Sequence, residues 1–146
     1  MYEKKRKQTL VEKYPLVFTA SSLNMIYYVI TALRVGRARS KYGVFAPAVS
    51  GHPEFEKALR IQMNGLEYLP VVITSMWSTA LITQNDVLAG GMGLTYLSGR
   101  ILYGITYPDK RRAGFLTLFF SMLGLLGITT FYSVDGLVKK YSNKLK

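Results

Sequence analysis

The chain has 146 residues, 49% of them hydrophobic, a formal net charge of +11 and no cysteine. The absence of cysteine excludes a disulfide, a thiolate metal site and a cysteine nucleophile within these residues. The charges are segregated from the apolar segments, which excludes an ordinary soluble domain, and basic residues at the edges of apolar segments favour anionic membrane headgroups over nucleic acid as their partner.

Long stretches of the chain contain no charged residue. These stretches lie between Lys13 and Arg34, between Glu67 and Asp86, and between Arg112 and Asp135. Each is close to the roughly 20 apolar residues that a helix needs to cross a bilayer. A further apolar run is broken only by Arg100. The pattern therefore predicts four transmembrane helices, at Pro15–Leu33, Leu59–Ile82, Val87–Tyr107 and Ala113–Val134.

The connections after the second and third predicted helices are short. Thr83–Asp86 and Pro108–Arg112 leave room for tight turns only, so neighbouring helices must run antiparallel. The predicted fold class is all-α, an integral membrane four-helix up-down bundle. It forms a single transmembrane domain over residues 1–146, with a basic amino-terminal extension at residues 1–14.

The second predicted helix carries a polar face. Arg60, Asn64, Glu67 and Tyr68 follow at i, i+4, i+7 and i+8 and share that face, whereas Gln62 points away from it. A buried Arg and Glu at membrane depth cost several kcal/mol unless they are paired or used. The stripe therefore predicts the wall of a binding site, and the alternative is a set of polar contacts between helices.

Further polar residues fall at the same predicted membrane face. They are Arg39 after the first helix, Arg100, Tyr103 and Tyr107 on the third, and Arg111 and Arg112 at the start of the fourth. The tyrosines could instead form an interfacial aromatic belt. Several Arg together with Asn, Glu, Gln and Tyr suit a small ligand with two carboxylates and an amino group. The single His52 lies in a Pro/Gly loop and predicts no metal site.

Three motifs at these separations resemble a known family. They are PEFE at Pro53–Glu56, R-x-Q-x-N-x-x-E-Y at Arg60–Tyr68 and R-x-x-Y-x-x-x-Y at Arg100–Tyr107. The chain is similar here to the membrane-associated proteins in eicosanoid and glutathione metabolism, and the similarity extends from Leu33 to Phe115. The fourth helix matches only in hydropathy.

The resemblance implies a membrane glutathione transferase, with glutathione as co-substrate and no metal. It implies a homotrimer that binds glutathione between neighbouring subunits and conjugates it to a lipophilic electrophile from the bilayer; it also allows glutathione peroxidase activity. The implied compartment is the endoplasmic reticulum membrane in a eukaryote or the inner membrane in a bacterium. By motif position, glutathione would be held by Arg39, Arg60, Gln62, Asn64, Glu67, Tyr68, Arg100, Tyr103 and Tyr107.

An Arg at the start of the fourth helix would stabilise the glutathione thiolate. The connection before it is about two residues shorter than in close relatives. Counting back from Gly114-Phe115 selects Arg111, which we prefer, and counting from the end of the basic run selects Arg112. Both are therefore candidate catalytic residues.

Two other functions within the same family are open. The leukotriene-synthesising members carry a second Arg where this chain has Ser40, which favours a broader transferase over a dedicated leukotriene C synthase. A non-catalytic lipid-binding scaffold, like the five-lipoxygenase-activating protein, lacks the family Arg at the position of Arg60 and the Arg that stabilises the thiolate. Both types of Arg are present in this chain, which favours the enzyme.

Overall fold

The computed structural model describes residues 8–142, and within that range the chain is helical and contains no strand. The predicted all-α class is therefore confirmed. The five helices are α1 Leu10–Lys13, α2 Pro15–Tyr42, α3 Pro53–Thr83, α4 Asp86–Thr106 and α5 Arg112–Ser142. Of the basic extension, residues 1–7 lie outside the described range, and the remainder contains the short α1.

Local sequence explains where the helices begin. Thr9 and Glu12 form a capping box at α1, and the Asn85 side chain accepts from the Leu88 amide at α4. The Asp86 carboxylate also accepts from the amides of Leu16 and Val17 at 3.0 Å each. One acidic residue at the start of α4 therefore satisfies free amides at the start of α2, where a negative charge also complements the helix dipole.

Three helix boundaries differ from the prediction, and one of them is the end of α5, which lies at Ser142 and not near Val134. α2 continues beyond Leu33 to Tyr42, so Arg39 lies in its last turn and not after the helix. α3 begins at Pro53 and not near Leu59, so Arg60 lies about two turns inside it. The reason is that hydropathy marks where a helix would leave the hydrocarbon, whereas caps and breakers mark where it ends. Gly43, with φ of 65°, ends α2.

Within residues 8–142, three helices are long and apolar enough to cross a membrane: Pro15–Tyr42, Pro53–Thr83 and Arg112–Ser142. α4 has a suitable length, but it is rich in glycine and contains Arg100. The most apolar 18-residue segment of α4 therefore has a lower mean hydropathy than those of the three long helices. α4 was predicted as a membrane span, and it is not among the three helices that are apolar enough to be one. Large apolar side chains remain exposed along α2 and α5, as in Val29 and Phe120, which fits helices with an apolar surrounding.

α4 packs against α2, α3 and α5, and α3 likewise packs against the other three long helices. The contact of α4 with α5 is close because glycines meet there. A Cβ on Gly99 would lie 2.5 Å from the Leu118 amide nitrogen, and one on Gly114 would collide with the Tyr103 backbone. This approach sets the first turn of α5 against the end of α4, where the candidate site is found.

Candidate functional site

A cavity of about 270 Å³ lies between α3, α4 and the start of α5. We call it the Arg60 cavity, and six residues line it: Arg60, Asn64, Tyr103, Tyr107, Arg111 and Phe115. Five of these six were predicted as site residues. Residues far apart in the sequence therefore meet at one place, as the shared membrane face predicted.

The α3 wall of the cavity consists of Arg60 and Asn64, one helical turn apart. The Asn64 side-chain nitrogen donates to the Arg60 carbonyl oxygen at 3.0 Å, which fixes its rotamer along the helix. Arg60 is exposed, and within residues 8–142 its guanidinium has no ion-pair partner. The Arg60 guanidinium is therefore available to a ligand.

The opposite wall comes from α4 and the connection to α5. The rings of Tyr103 and Tyr107 lie 5.4 Å apart between centroids. The Arg111 guanidinium carbon lies 5.2 Å from the Tyr107 ring centroid, a distance suited to a cation–π contact. The Phe115 amide donates to the Arg111 carbonyl at 2.9 Å, so Arg111 is held at the start of α5. The close glycine contact between α4 and α5 places this guanidinium beside the tyrosines.

The chemistry of the Arg60 cavity follows from its charges. Two guanidinium groups face it, and no acidic side chain is among its lining residues. Guanidinium binds carboxylates in a bidentate fashion and can also stabilise a thiolate. Asn64 and the tyrosine hydroxyls add neutral donors. The arrangement therefore suits an anionic ligand.

Arg100 lies beside the Arg60 cavity but does not line it. It is buried, with 3% of its surface exposed, and its Nη2 donates to the Ile61 carbonyl at 2.9 Å. Gly65 provides the space, because a Cβ there would lie 2.7 Å from Nη2. The predicted ligand-binding Arg100 therefore makes a contact between α4 and α3 in this structure.

Gln62 faces α2 rather than the Arg60 cavity. Its side-chain nitrogen donates to the Tyr28 hydroxyl at 3.0 Å. This placement agrees with the helical spacing, which put Gln62 away from the face of Arg60. Gln62 therefore points to a different surface of the chain.

Arg39 also lies apart from the Arg60 cavity. Its Nη1 donates to the Ala48 carbonyl at 2.8 Å, and its guanidinium carbon lies 4.7 Å from the Phe55 ring centroid. It lines a separate cavity of about 300 Å³ together with Ser40 and the loop that follows α2. Within the chain, Arg39 therefore orders this loop.

The remaining predicted residues do not line the Arg60 cavity. Glu67 is exposed on α3, and Tyr68 is half-buried against the hydrophobic core. Arg112, the first residue of α5, is exposed and also outside the cavity. Of the two candidate arginines at the start of α5, Arg111 is therefore the one that the fold brings to the cavity.

Sequence reasoning missed some residues around the site. Phe115 lines the cavity, and its position four residues after Arg111 on a helix was a usable signal. Tyr28, the partner of Gln62, was less visible because it stands in an apolar span among many tyrosines.

Between residues 8 and 142 no group of three or more His, Cys, Asp or Glu side chains could hold a metal ion.

Comparison with known proteins extends over most of the chain. A model of the MAPEG family matches residues 17–131. Human microsomal glutathione S-transferase 2 is 38% identical over 123 residues, covering 79% of this chain and 83% of the relative. Guinea pig (Cavia porcellus) leukotriene C4 synthase is 31% identical over 126 residues, covering 79% and 83%. An uncharacterised protein of Synechocystis is 40% identical over 105 residues, covering 70% and 74%.

Proposed function

The chain belongs to the MAPEG family, as its polar motifs indicated, and from this premise we propose that it is a membrane glutathione transferase. The observation that carries the proposal is the Arg60 cavity, with two guanidinium groups and no lining carboxylate. Glutathione brings two carboxylates and the thiol that this chain lacks. A transferase activity also agrees with the name of its relative, microsomal glutathione S-transferase 2.

In the proposed complex, Arg60 binds a glutathione carboxylate, and Asn64 and Tyr107 donate hydrogen bonds to the peptide. Glu67 lies three residues beyond Asn64 on the same face of α3, and its exposed carboxylate accepts from the glutathione ammonium. Tyr68 packs beside it. The tripeptide is thereby oriented with its thiol towards Arg111.

Arg111 is the proposed catalytic residue. Its guanidinium lowers the pKa of the bound thiol, so that the thiol loses its proton to solvent and the thiolate persists at neutral pH. The thiolate sulfur then forms a bond to the electrophilic carbon while the bond to the leaving group breaks with its electron pair. The protein contributes charge stabilisation and proximity. Glutathione peroxidase activity would use the same thiolate.

The proposed assembly is a homotrimer of up-down four-helix transmembrane bundles. Gln62 and Arg39 support it, because both face surfaces away from the Arg60 cavity of their own chain. In a trimer they would complete the glutathione site of a neighbouring subunit. α4 would then be a fourth span, tolerated because its buried Arg100 is bonded to Ile61 and its glycines allow close packing.

A membrane setting defines the second substrate. A lipophilic electrophile would reach the thiolate laterally from the lipid, since large apolar side chains are exposed on the long helices. The proposed role is detoxification. The proposed location is the endoplasmic reticulum membrane of a eukaryote or the inner membrane of a bacterium.

The proposal can be tested with purified protein, glutathione and 1-chloro-2,4-dinitrobenzene. We expect an ultraviolet thiolate absorbance on adding glutathione, followed by conjugate formation with release of chloride. Absence of both signals from folded protein would contradict the enzyme and favour a non-catalytic lipid-binding scaffold. A dedicated leukotriene C synthase would instead show high turnover with its fatty-acid epoxide and little with the aromatic chloride.

A further inference from the structure

A second polar cavity, of about 190 Å³, lies on the other side of α3, between the end of α2, the start of α3 and the end of α4. We call it the Lys57 cavity; Arg34, Glu54 and Lys57 line it together with Thr31 and Gly104. It shares no residue with the Arg60 cavity. The proposed glutathione site therefore does not account for it.

The charges of the Lys57 cavity leave a cationic excess. Arg34 and Lys57 contribute two positive charges, and Glu54 contributes one negative charge. Within residues 8–142 the ion pair is Lys139–Asp135, at the far end of α5, so neither Arg34 nor Lys57 has a carboxylate within 4 Å. Among the described residues neither cation is ion-paired, and one positive charge remains in excess of Glu54, which favours an external anion.

The position of the cavity along the helices suits a membrane surface. Arg34 is the first charged residue after the apolar stretch of α2, and Lys57 precedes the apolar part of α3. Leu33 and Ile105, next to lining residues, are 57% and 73% exposed. Basic pockets between membrane helices with apolar surroundings are suited to lipid headgroups. The apolar side chains beside the cavity would contact the acyl chains of the lipid.

Two hydroxyl groups lie at the inner side of the cavity: that of Thr31, a lining residue, and that of Tyr27, which packs against the lining residue Gly104. The Tyr27 hydroxyl donates to the Arg100 carbonyl at 3.1 Å, and a Cβ on Gly104 would lie 2.6 Å from that hydroxyl. The Thr31 hydroxyl donates to the Tyr28 carbonyl at 2.7 Å. The Thr31 hydroxyl oxygen lines the cavity and keeps acceptor capacity for a water molecule that accompanies a bound anion.

From these observations we propose that the Lys57 cavity binds a phosphate group through Arg34 and Lys57, carried by a phospholipid headgroup or free as inorganic phosphate. Guanidinium and ammonium groups are cationic and donate several hydrogen bonds, so both are suited to binding phosphate. The proposal does not depend on glutathione binding, because the two cavities lie on different sides of α3.

The test uses full-length protein exchanged into bilayer nanodiscs containing equal amounts of phosphatidylglycerol and phosphatidylcholine. After re-extraction in detergent, retained lipid is quantified by native mass spectrometry. We expect the protein to retain phosphatidylglycerol preferentially, and the double variant Arg34→Gln/Lys57→Gln to retain about tenfold less, as expected for losing charge-assisted hydrogen bonds.

A matched control is Arg37→Gln/Lys41→Gln, which removes the same charge from exposed positions of α2 outside both cavities. It should retain phosphatidylglycerol like the unmodified protein. Circular dichroism checks that both variants keep their helix content. If the control loses as much lipid as the Arg34/Lys57 variant, attraction is spread over the basic surface and the proposal is wrong.

A parallel arm replaces lipid by inorganic phosphate and follows thermal unfolding in detergent. Stabilisation of the unmodified protein but not of the Arg34/Lys57 variant would identify free phosphate as the source, whereas lipid retention alone would identify the headgroup. No response in either arm contradicts the proposal. Glu54→Gln should have the opposite effect. Removing the lining carboxylate should raise phosphatidylglycerol retention, and lower retention would indicate that the cavity binds an ammonium group and not a phosphate.

Discussion

α3 and α4 meet in two polar regions that use similar residues in opposite ways. In the buried contact, the Arg100 guanidinium lies inside the fold and donates to Ile61 across the gap left by Gly65. In the Arg60 cavity, the Arg60 and Arg111 guanidiniums face open space beside tyrosine rings. An arginine bonded to a backbone carbonyl supports the fold, whereas an arginine without an internal anion is free to bind a ligand.

The largest expected effect tests the ligand side of this comparison. Arg111→Ala should lower kcat for conjugation of glutathione to 1-chloro-2,4-dinitrobenzene by about 100-fold, because a preorganised charge that stabilises the reacting anion is lost. The thiolate absorbance on adding glutathione should disappear in the same variant. Steady-state kinetics and difference spectroscopy measure the two quantities.

Arg112→Ala is the matched control, since Arg112 is the exposed neighbour outside the cavity. Its kcat should stay within about twofold of the unmodified value, as for a surface charge that is screened by solvent. A reversed result, with Arg112 essential and Arg111 dispensable, would contradict the assignment. Equal tolerance of both changes would contradict the thiolate mechanism itself.

The second-largest expected effect tests the structural role of the buried Arg100. Arg100→Ala should lower the free energy of unfolding by about 2 kcal/mol, because a charge-assisted hydrogen bond and the packing of a buried side chain are lost together. Denaturant unfolding in detergent measures it, and Arg100→Lys should recover part of the loss. Unchanged stability with a raised KM for glutathione would show that Arg100 binds the ligand directly.

A glycine substitution tests how tightly Gly65 packs against the buried Arg100 side chain. Gly65→Ala places a Cβ 2.7 Å from the Arg100 Nη2, so the guanidinium must move. Overpacking of this kind costs about 1–2 kcal/mol, which exceeds the gain of up to about 1 kcal/mol from alanine inside a helix. Gly36→Ala is the control: it lies within α2 and a Cβ there meets nothing within 4 Å. That change should stabilise the helix by up to about 1 kcal/mol. If both substitutions act alike, the Gly65 contact is not specific.

Sequence reasoning predicted the parts of the site that depend on helical spacing. Arg60 and Asn64 line one wall because i and i+4 share a helix face. Tyr103 lies on α4, and Tyr107, four residues later, is the residue that caps its carboxyl end. Gln62 was expected on another face, and it is found there. The family resemblance was also predicted from the motifs alone, and the match to residues 17–131 confirms it.

Other features could not be predicted because they depend on the approach of distant helices. The motif R-x-x-Y-x-x-x-Y places Arg100 on the tyrosine face, but its burial requires Gly65 on α3 to leave a gap. The choice between Arg111 and Arg112 depends on the close contact of Gly99 with α5. Helix ends were misplaced because hydropathy changes near Leu33, whereas α2 continues to Tyr42.

The smallest expected effect concerns the surface of α3 that faces α2. Tyr28→Phe removes the acceptor of the Gln62 hydrogen bond, and it should cost about 0.5–1 kcal/mol in unfolding free energy. The KM for glutathione should change less than twofold, because in the proposed trimer the Gln62 amide remains available to glutathione held by a neighbouring subunit. Gln62→Ala, by contrast, should raise that KM about tenfold through loss of the ligand contact itself. An unchanged KM in Gln62→Ala would limit Gln62 to its contact with Tyr28.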